Sequence, residues 1–168
     1  MVKSVAARVG ARVAAWVALG IVATGCLPDA ADGGDGGPGD GSDGGPGRTV
    51  VVSRVVDGDT VEIASGAHVR IIGVDTPEQG DCGYAEATSA LRRMVEGRKV
   101  VLVDPASVQG RDTYGRLLRF VDVAGRDAGL AQIRAGWATA RYDSRDGYDP
   151  HPREDRYRAT DRQHDSAC

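Results

Sequence analysis

Val55-Val-Asp-Gly-Asp-Thr-Val-Glu-Ile63 and, a few residues on, Val69-Arg-Ile-Ile-Gly-Val-Asp-Thr-Pro-Glu78 are the stretches that decide the fold. Valine-rich or alternating segments at 50–56, 60–63 and 67–74 predict three consecutive strands in a meander. Asp57-Gly58-Asp59 supplies the first turn and Ser65-Gly66 the second, each with the glycine that a tight hairpin favours. Pro77 cannot donate to a ladder, so the chain leaves the sheet at Asp75-Thr76-Pro77-Glu78. Four acids and an arginine are thereby set at or just beyond the ends of short strands. The carboxylates of Asp57, Asp59, Asp75 and Glu78 are hard oxygen ligands suited to calcium or magnesium, and Arg70 offers a planar donor fork suited to a phosphate.

Outward from this stretch, Ala85, Ala87, Ala90, Leu91, Met94 and Val95 form an apolar stripe at helical spacing, predicting a helix over 84–96 that Gly97 stops. Strands are expected at 99–103 and 117–123. The loop between them carries Arg111-Asp-Thr-Tyr-Gly-Arg116, a second candidate phosphate clamp. A further helix is expected over 127–135, ending at Gly136. Five short strands interrupted by a helix predict a small closed β-barrel with helices, an α+β domain of the oligonucleotide-binding (OB) type. Pro150, His151 and Pro152 break the chain, and the charged stretch 153–164 reads as a solvated helix. His151 and His164 are expected at the surface, because no carboxylate partner or companion histidine marks a metal site.

The first residues carry Lys3, Arg8 and Arg12, then an apolar run over 13–23 too short to span a bilayer, so 1–25 reads as a signal peptide. Ala23-Thr-Gly-Cys26 is similar to a bacterial lipobox, with alanine where leucine is usual. Cys26 would then be lipidated, tying the protein to the cell membrane or an outer membrane. The alternative is an ordinary secretory signal and a secreted product. Both place the mature chain outside the cytoplasm. Residues 26–47 are mostly Gly, Asp, Pro and Ser, a tether with too little apolar surface to offset the entropy of ordering. Residues 48–168 have the size of one domain, and a monomer is the default expectation. In an oxidising compartment Cys82 and Cys168 form an even pair, either bridged or as two free thiols.

Net charge does not announce a nucleic-acid partner. Residues 48–168 hold 17 Arg and 1 Lys against 14 Asp and 5 Glu, one net negative charge, so only the placement of individual arginines can carry that argument.

The order Asp-Gly-Asp-Thr60, Arg70-Ile-Ile-Gly-Val-Asp-Thr-Pro-Glu78, Asp112-Thr-Tyr-Gly-Arg116 resembles the staphylococcal nuclease family, the thermonucleases. Leu130-Ala-Gln-Ile-Arg-Ala-Gly-Trp-Ala138 is similar to that family's helix after the last barrel strand. The resemblance implies an OB-type barrel that cleaves DNA and RNA phosphodiesters with calcium, with low sequence specificity, single-stranded or denatured substrate, and 3′-phosphate products. It implies Asp59 and Asp75 as carboxylate ligands, Thr76 as a backbone-carbonyl ligand, and Asp57 as a supporting acid. Glu78 would activate water, and Arg70 and Arg116 would bind the phosphate. Tyr114 and Tyr142 would contact the nucleotide.

Two departures weaken the expected grip on a polyanion. Thr113 stands where the family has a lysine, and a short Gln79-Gly-Asp-Cys-Gly83 connection replaces a lysine-rich loop. Two other classes stay open at this point. One is a non-catalytic nucleic-acid-binding barrel. The other is a calcium-stabilised surface module whose acids serve structure.

Overall fold

The computed structural model describes residues 47–164. The expected signal segment, Cys26, nearly all of the expected tether and Cys168 lie outside the described residues. Strands β1 (Arg48–Val55), β2 (Thr60–Ile63), β3 (His68–Ile71), β5 (Lys99–Val103) and β6 (Leu117–Val123) close a five-stranded mixed barrel. Short strands β4 (Val74–Asp75), β7 (Arg126–Asp127) and β8 (Thr139–Ala140) flank it.

Closure depends on β1. Its first half pairs with β5, from Arg48 against Leu102 to Val51 against Lys99, and its second half pairs with β2. A register shift between Val52 and Arg54 bends the strand so that it can serve both neighbours. The seam is the parallel pairing of β3 with β6, where Arg70 lies opposite Leu118. Alternation then sorts the side chains. Val61, Ile63, Val69, Ile71, Val100, Leu102 and Val121 are buried in the core, while Arg70, between two core residues, is turned to the other face.

Helix α1 (Tyr84–Val95) and α2 (Ala128–Arg134) cover one end of the core. The first buries Ala87, Thr88, Leu91 and Val95, the apolar stripe its sequence foretold. The second is capped by Asp127, whose carboxylate accepts from Leu130 N at 3.0 Å.

Three expectations need correction. The third strand does not run on to Val74. It stops at Ile71, and Gly73 turns the chain at φ 78°, so that Val74 and Asp75 pair instead with Ala140 and Thr139. A Cβ at Gly73 would fall 2.5 Å from His151 Nε2, so this turn requires glycine sterically as well as conformationally.

His151 is therefore not at the surface. It is 4% exposed and packs edge-on against Phe120 and Tyr157, with centroids at 5.5 and 5.7 Å. His164 is exposed, as expected.

Nor is the charged C-terminal helix α3 (Glu154–Asp161) merely solvated. Tyr157 is fully buried and donates to Asp127 Oδ1 at 2.8 Å. Arg153 grips Asp122 at 2.7 Å with its guanidinium 4.2 Å from the centre of the Phe120 ring. Arg158 grips Asp143 and Asp146, each at 2.6 Å. One aromatic anchor gives no apolar stripe, so periodicity could not reveal the docking.

Both ring nitrogens of His151 are buried without a hydrogen-bond partner. Burial holds its pKa below the usual 6.5, opposed by Glu154 and Asp143 and assisted by Arg153 and Arg158. The unfolded chain therefore takes up a proton first as pH falls. This residue's contribution to stability is complete above about 6.5 and is lost below it. Melting temperatures between pH 7.5 and 5 are expected to fall more steeply for the native chain than for His151→Leu.

Candidate active site

The site begins in the β1–β2 turn. The amides of Val56 and Asp57 both donate to Thr60 O, at 2.9 and 3.3 Å, and Asp57 Oδ1 accepts from the Asp59 amide at 3.0 Å. The turn thus presents Asp59, itself only 6% exposed, to the β4 region. Asp59 Oδ2 accepts from Thr76 N at 3.1 Å and Thr76 Oγ1 at 2.8 Å. Its Oδ1 accepts from Thr60 Oγ1 at 3.2 Å and meets Arg70 Nε at 3.1 Å.

Arg70 links the two principal acids, with Nη2 3.7 Å from Asp75 Oδ1. Its position is set by a bond from Nη1 to Ile71 O at 2.9 Å. Tyr142 completes this side: its hydroxyl donates to Asp75 Oδ1 at 3.2 Å, and its ring lies 5.6 Å from the Arg70 guanidinium carbon. Tyr142 has φ 59°, unusual for a residue with a side chain, and its amide donates to Asp146 Oδ2 at 2.8 Å. Asp146 is in turn held by Arg158, so the C-terminal helix supports a strained tyrosine at the site.

Arg116 arrives from the long loop. Asp112 fixes it twice, accepting from its amide at 2.9 Å and from Nε at 2.7 Å. Burial acts to raise the Asp112 pKa, but the bonds from Arg116 prevail and hold it below the usual carboxylate value. With Nε occupied, Nη1 points to Thr60 Oγ1 at 3.4 Å and Tyr114 lies across the guanidinium at 5.5 Å. Tyr114 itself is 84% exposed.

Arg116, Thr60, Asp59, Arg70, Asp75 and Tyr142 therefore form one connected polar chain. Glu78 stands apart from it. Exposed, with its backbone amide donating to Asp81 Oδ2 at 3.3 Å, it lines an open cleft of about 220 Å³ with Asp75, Thr76, Trp137 and Thr139. Cys82, just beyond, is disulfide-bonded, while its expected partner Cys168 is outside the described residues.

Burial pushes the Asp59 carboxyl up to about 6, with Asp57 adding repulsion and Arg70 and Thr76 opposing. An ionised carboxylate that the fold alone stabilises poorly is one a cation would stabilise. The oxygen donors of Asp59, Asp75 and Thr76 fit a hard cation such as calcium. A second cluster, Asp143, His151 and Glu154, has donor atoms within 4.8 Å of one another. Arg158 occupies both oxygens of Asp143 at 2.6 and 2.9 Å, and Ser144 Oγ binds Glu154 at 2.7 Å. That cluster is an arginine-braced anchor for α3.

Sequence reading missed Gln132. Fully buried in α2, it donates from Nε2 to Gly58 O at 2.8 Å and to Ala87 O at 2.9 Å. It ties the acid-bearing turn to α1. Gly58 has no room for a side chain, since a Cβ would lie 2.6 Å from Thr76 Oγ1 and 2.8 Å from Ala87 Cβ. The only signal in the sequence is one amide within an otherwise apolar helical face. Asp112, which orients Arg116, stands in the same motif, and nothing in the sequence marks that role.

Residues 68–165 match the family described as Staphylococcal nuclease homologue. A probable endonuclease, lcl3, of Pyrenophora tritici-repentis is 35% identical over 104 residues, which cover 56% of this chain and 36% of that protein. An uncharacterized endonuclease of Escherichia coli O157:H7 is 29% identical over 99 residues, 55% of this chain and 62% of its own. A thermonuclease of Staphylococcus intermedius is 29% identical over 135 residues, 74% of each chain. The chain spans only part of the first two.

Gln132→Leu would leave the buried carbonyl of Gly58 unpaired. A loss of about 1–3 kcal/mol is expected in urea unfolding as the turn loosens.

Proposed function

The chain belongs to the staphylococcal nuclease homologue family, and from that premise we propose that it is a calcium-dependent endonuclease hydrolysing phosphodiester bonds of DNA and RNA. The observation that carries the reading is the unbroken connection from Arg116 through Thr60 and Asp59 to Arg70 and Asp75, which sets two guanidinium groups and two carboxylates around one place. The names borne by the relatives point the same way.

Asp59, Asp75 and the carbonyl of Thr76 would hold calcium, which when bound supplies positive charge beside the phosphate. Arg70 and Arg116 donate to the equatorial oxygens, where negative charge accumulates in the transition state. Asp112 keeps Arg116 aimed by occupying its Nε, leaving the terminal nitrogens for substrate. Glu78, exposed in the cleft beside Asp75, holds a water and takes its proton as the oxygen attacks phosphorus. The phosphorus–5′-oxygen bond breaks on the opposite side, leaving the phosphate on the 3′ end. Recognition rests on the backbone, so base specificity is low, and an open cleft suits single-stranded or denatured substrate. Tyr114 and Tyr142 offer ring faces to the nucleotide.

Location belongs to the same proposal. The grammar of residues 1–47 supports export, a lipid anchor at Cys26 and a tethered monomer outside the cytoplasm, or a secreted form if the lipobox is not used. Mass spectrometry of the mature N-terminus distinguishes a diacylglyceryl Cys26 from a free terminus.

The decisive assay incubates the full chain with denatured DNA in millimolar calcium, in chelator, and with Glu78→Gln and Arg116→Ala alongside. Cleavage in calcium alone is expected, with rates falling on the order of 100-fold or more in each variant. Intact DNA in calcium, with binding retained, would establish the non-catalytic barrel instead.

A further inference from the structure

The concave face where α2 meets the β6–β7 turn and α3 is lined by four arginines, 126, 134, 153 and 156, and encloses about 660 Å³. Arg153 is committed to Asp122 and Asp127. Arg126, Arg134 and Arg156 are exposed, and none of the three is ion-paired among the described residues. Four guanidinium groups against those two carboxylates make this groove positive, although residues 48–168 carry a net negative charge.

Its position gives that charge a meaning. Arg134 and Ala135 line the groove, and the next two residues, Gly136 and Trp137, line the cleft that holds Asp75 and Glu78. Consecutive Cα atoms are about 3.8 Å apart, so the stretch 134–137 lines the groove with its first two residues and the cleft with its last two, and the two concavities lie close together.

We propose that this groove is a second phosphate-binding track, which holds the strand flanking the scissile bond through Arg126, Arg134 and Arg156. The proposal rests on the nuclease reading of the adjoining cleft and adds to it a preference for longer strands. Guanidinium forks match phosphate oxygens, and three unpaired forks along one concavity suit a chain of phosphates better than a single anion. A concave groove suits a flexible strand better than a flat anionic membrane. The track also supplies positive charge that Thr113 and the short Gln79–Gly83 connection do not.

The test compares the full chain with Arg126→Ala/Arg134→Ala/Arg156→Ala, each also carrying Glu78→Gln for binding work in chelator. Fluorescence anisotropy measures affinity for single-stranded DNA of about thirty nucleotides and of about four, across a salt series. The triple variant is expected to bind the long strand roughly 10-fold more weakly, with the salt slope shallower by about 2, and the short strand equally well. In the active background with calcium, KM should rise on long substrate while kcat, and all constants for the short one, stay unchanged.

Unchanged binding of the long strand, or equal loss on both lengths, overturns the track. So does arginine-dependent binding to vesicles of phosphatidylcholine and phosphatidylglycerol with long-strand affinity intact. If no strand is ever cut but the length-dependent loss of binding persists, the track stands and the nuclease reading fails. Since the three side chains are exposed and unpaired, matching melting curves are expected for the triple variant, which separates loss of binding from loss of fold.

Discussion

The carboxylate of Asp59 is the constraint on which the rest of this structure depends. It is buried, it accepts bonds from two groups of Thr76, and it meets Arg70, so one side chain joins the β1–β2 turn, β3 and the start of the α1 connection. Removing a carboxylate from water disfavours its charge, which is why its pKa is pushed up to about 6 despite the guanidinium beside it. A stable fold has no need of such an arrangement. The proposed cation and phosphate site does, and nearly every other placement follows from keeping that carboxylate in position.

The barrel provides the rigidity. Bending β1 at one irregularity closes the sheet, and closure fixes Arg70 on the outer face of β3 beside the turn that carries Asp59. Gln132 then holds the turn from behind, and Gly58 lets Thr76 and Ala87 approach it. The C-terminal helix works at longer range. Its Arg158 secures Asp143 and Asp146, and Asp146 holds Tyr142 in a left-handed backbone conformation against Asp75. Polar groups locked by packing and by further hydrogen bonds are preorganised, which is what a site that stabilises developing charge requires.

Much of this was legible in the sequence where local chemistry and pattern agree. The turn Asp57-Gly-Asp59, the alternation around Arg70 and the stripe of α1 each point to the element that forms. What was not legible depends on partners far along the chain. Gln132 looks like an ordinary helical residue until its amide is seen to bind Gly58, 74 positions away. His151 lacked any marker of burial because its packing partners, Phe120 and Tyr157, come from a strand and a helix that sequence reading did not bring together. The charged face of α3 read as solvated since its carboxylate partners lie in β6, in β7 and in the segment after β8. Tertiary pairing of charges leaves no periodic trace.

The most direct test of the central claim is a calcium titration followed by backbone amide chemical shifts in isotopically labelled protein. The account predicts saturable shifts concentrated at Asp59, Asp75 and Thr76, spreading to Thr60 and Gly58 through the turn and leaving Asp143, His151 and Glu154 unmoved. Shifts centred on the Asp143 cluster, or no saturable change at Asp59, would contradict it.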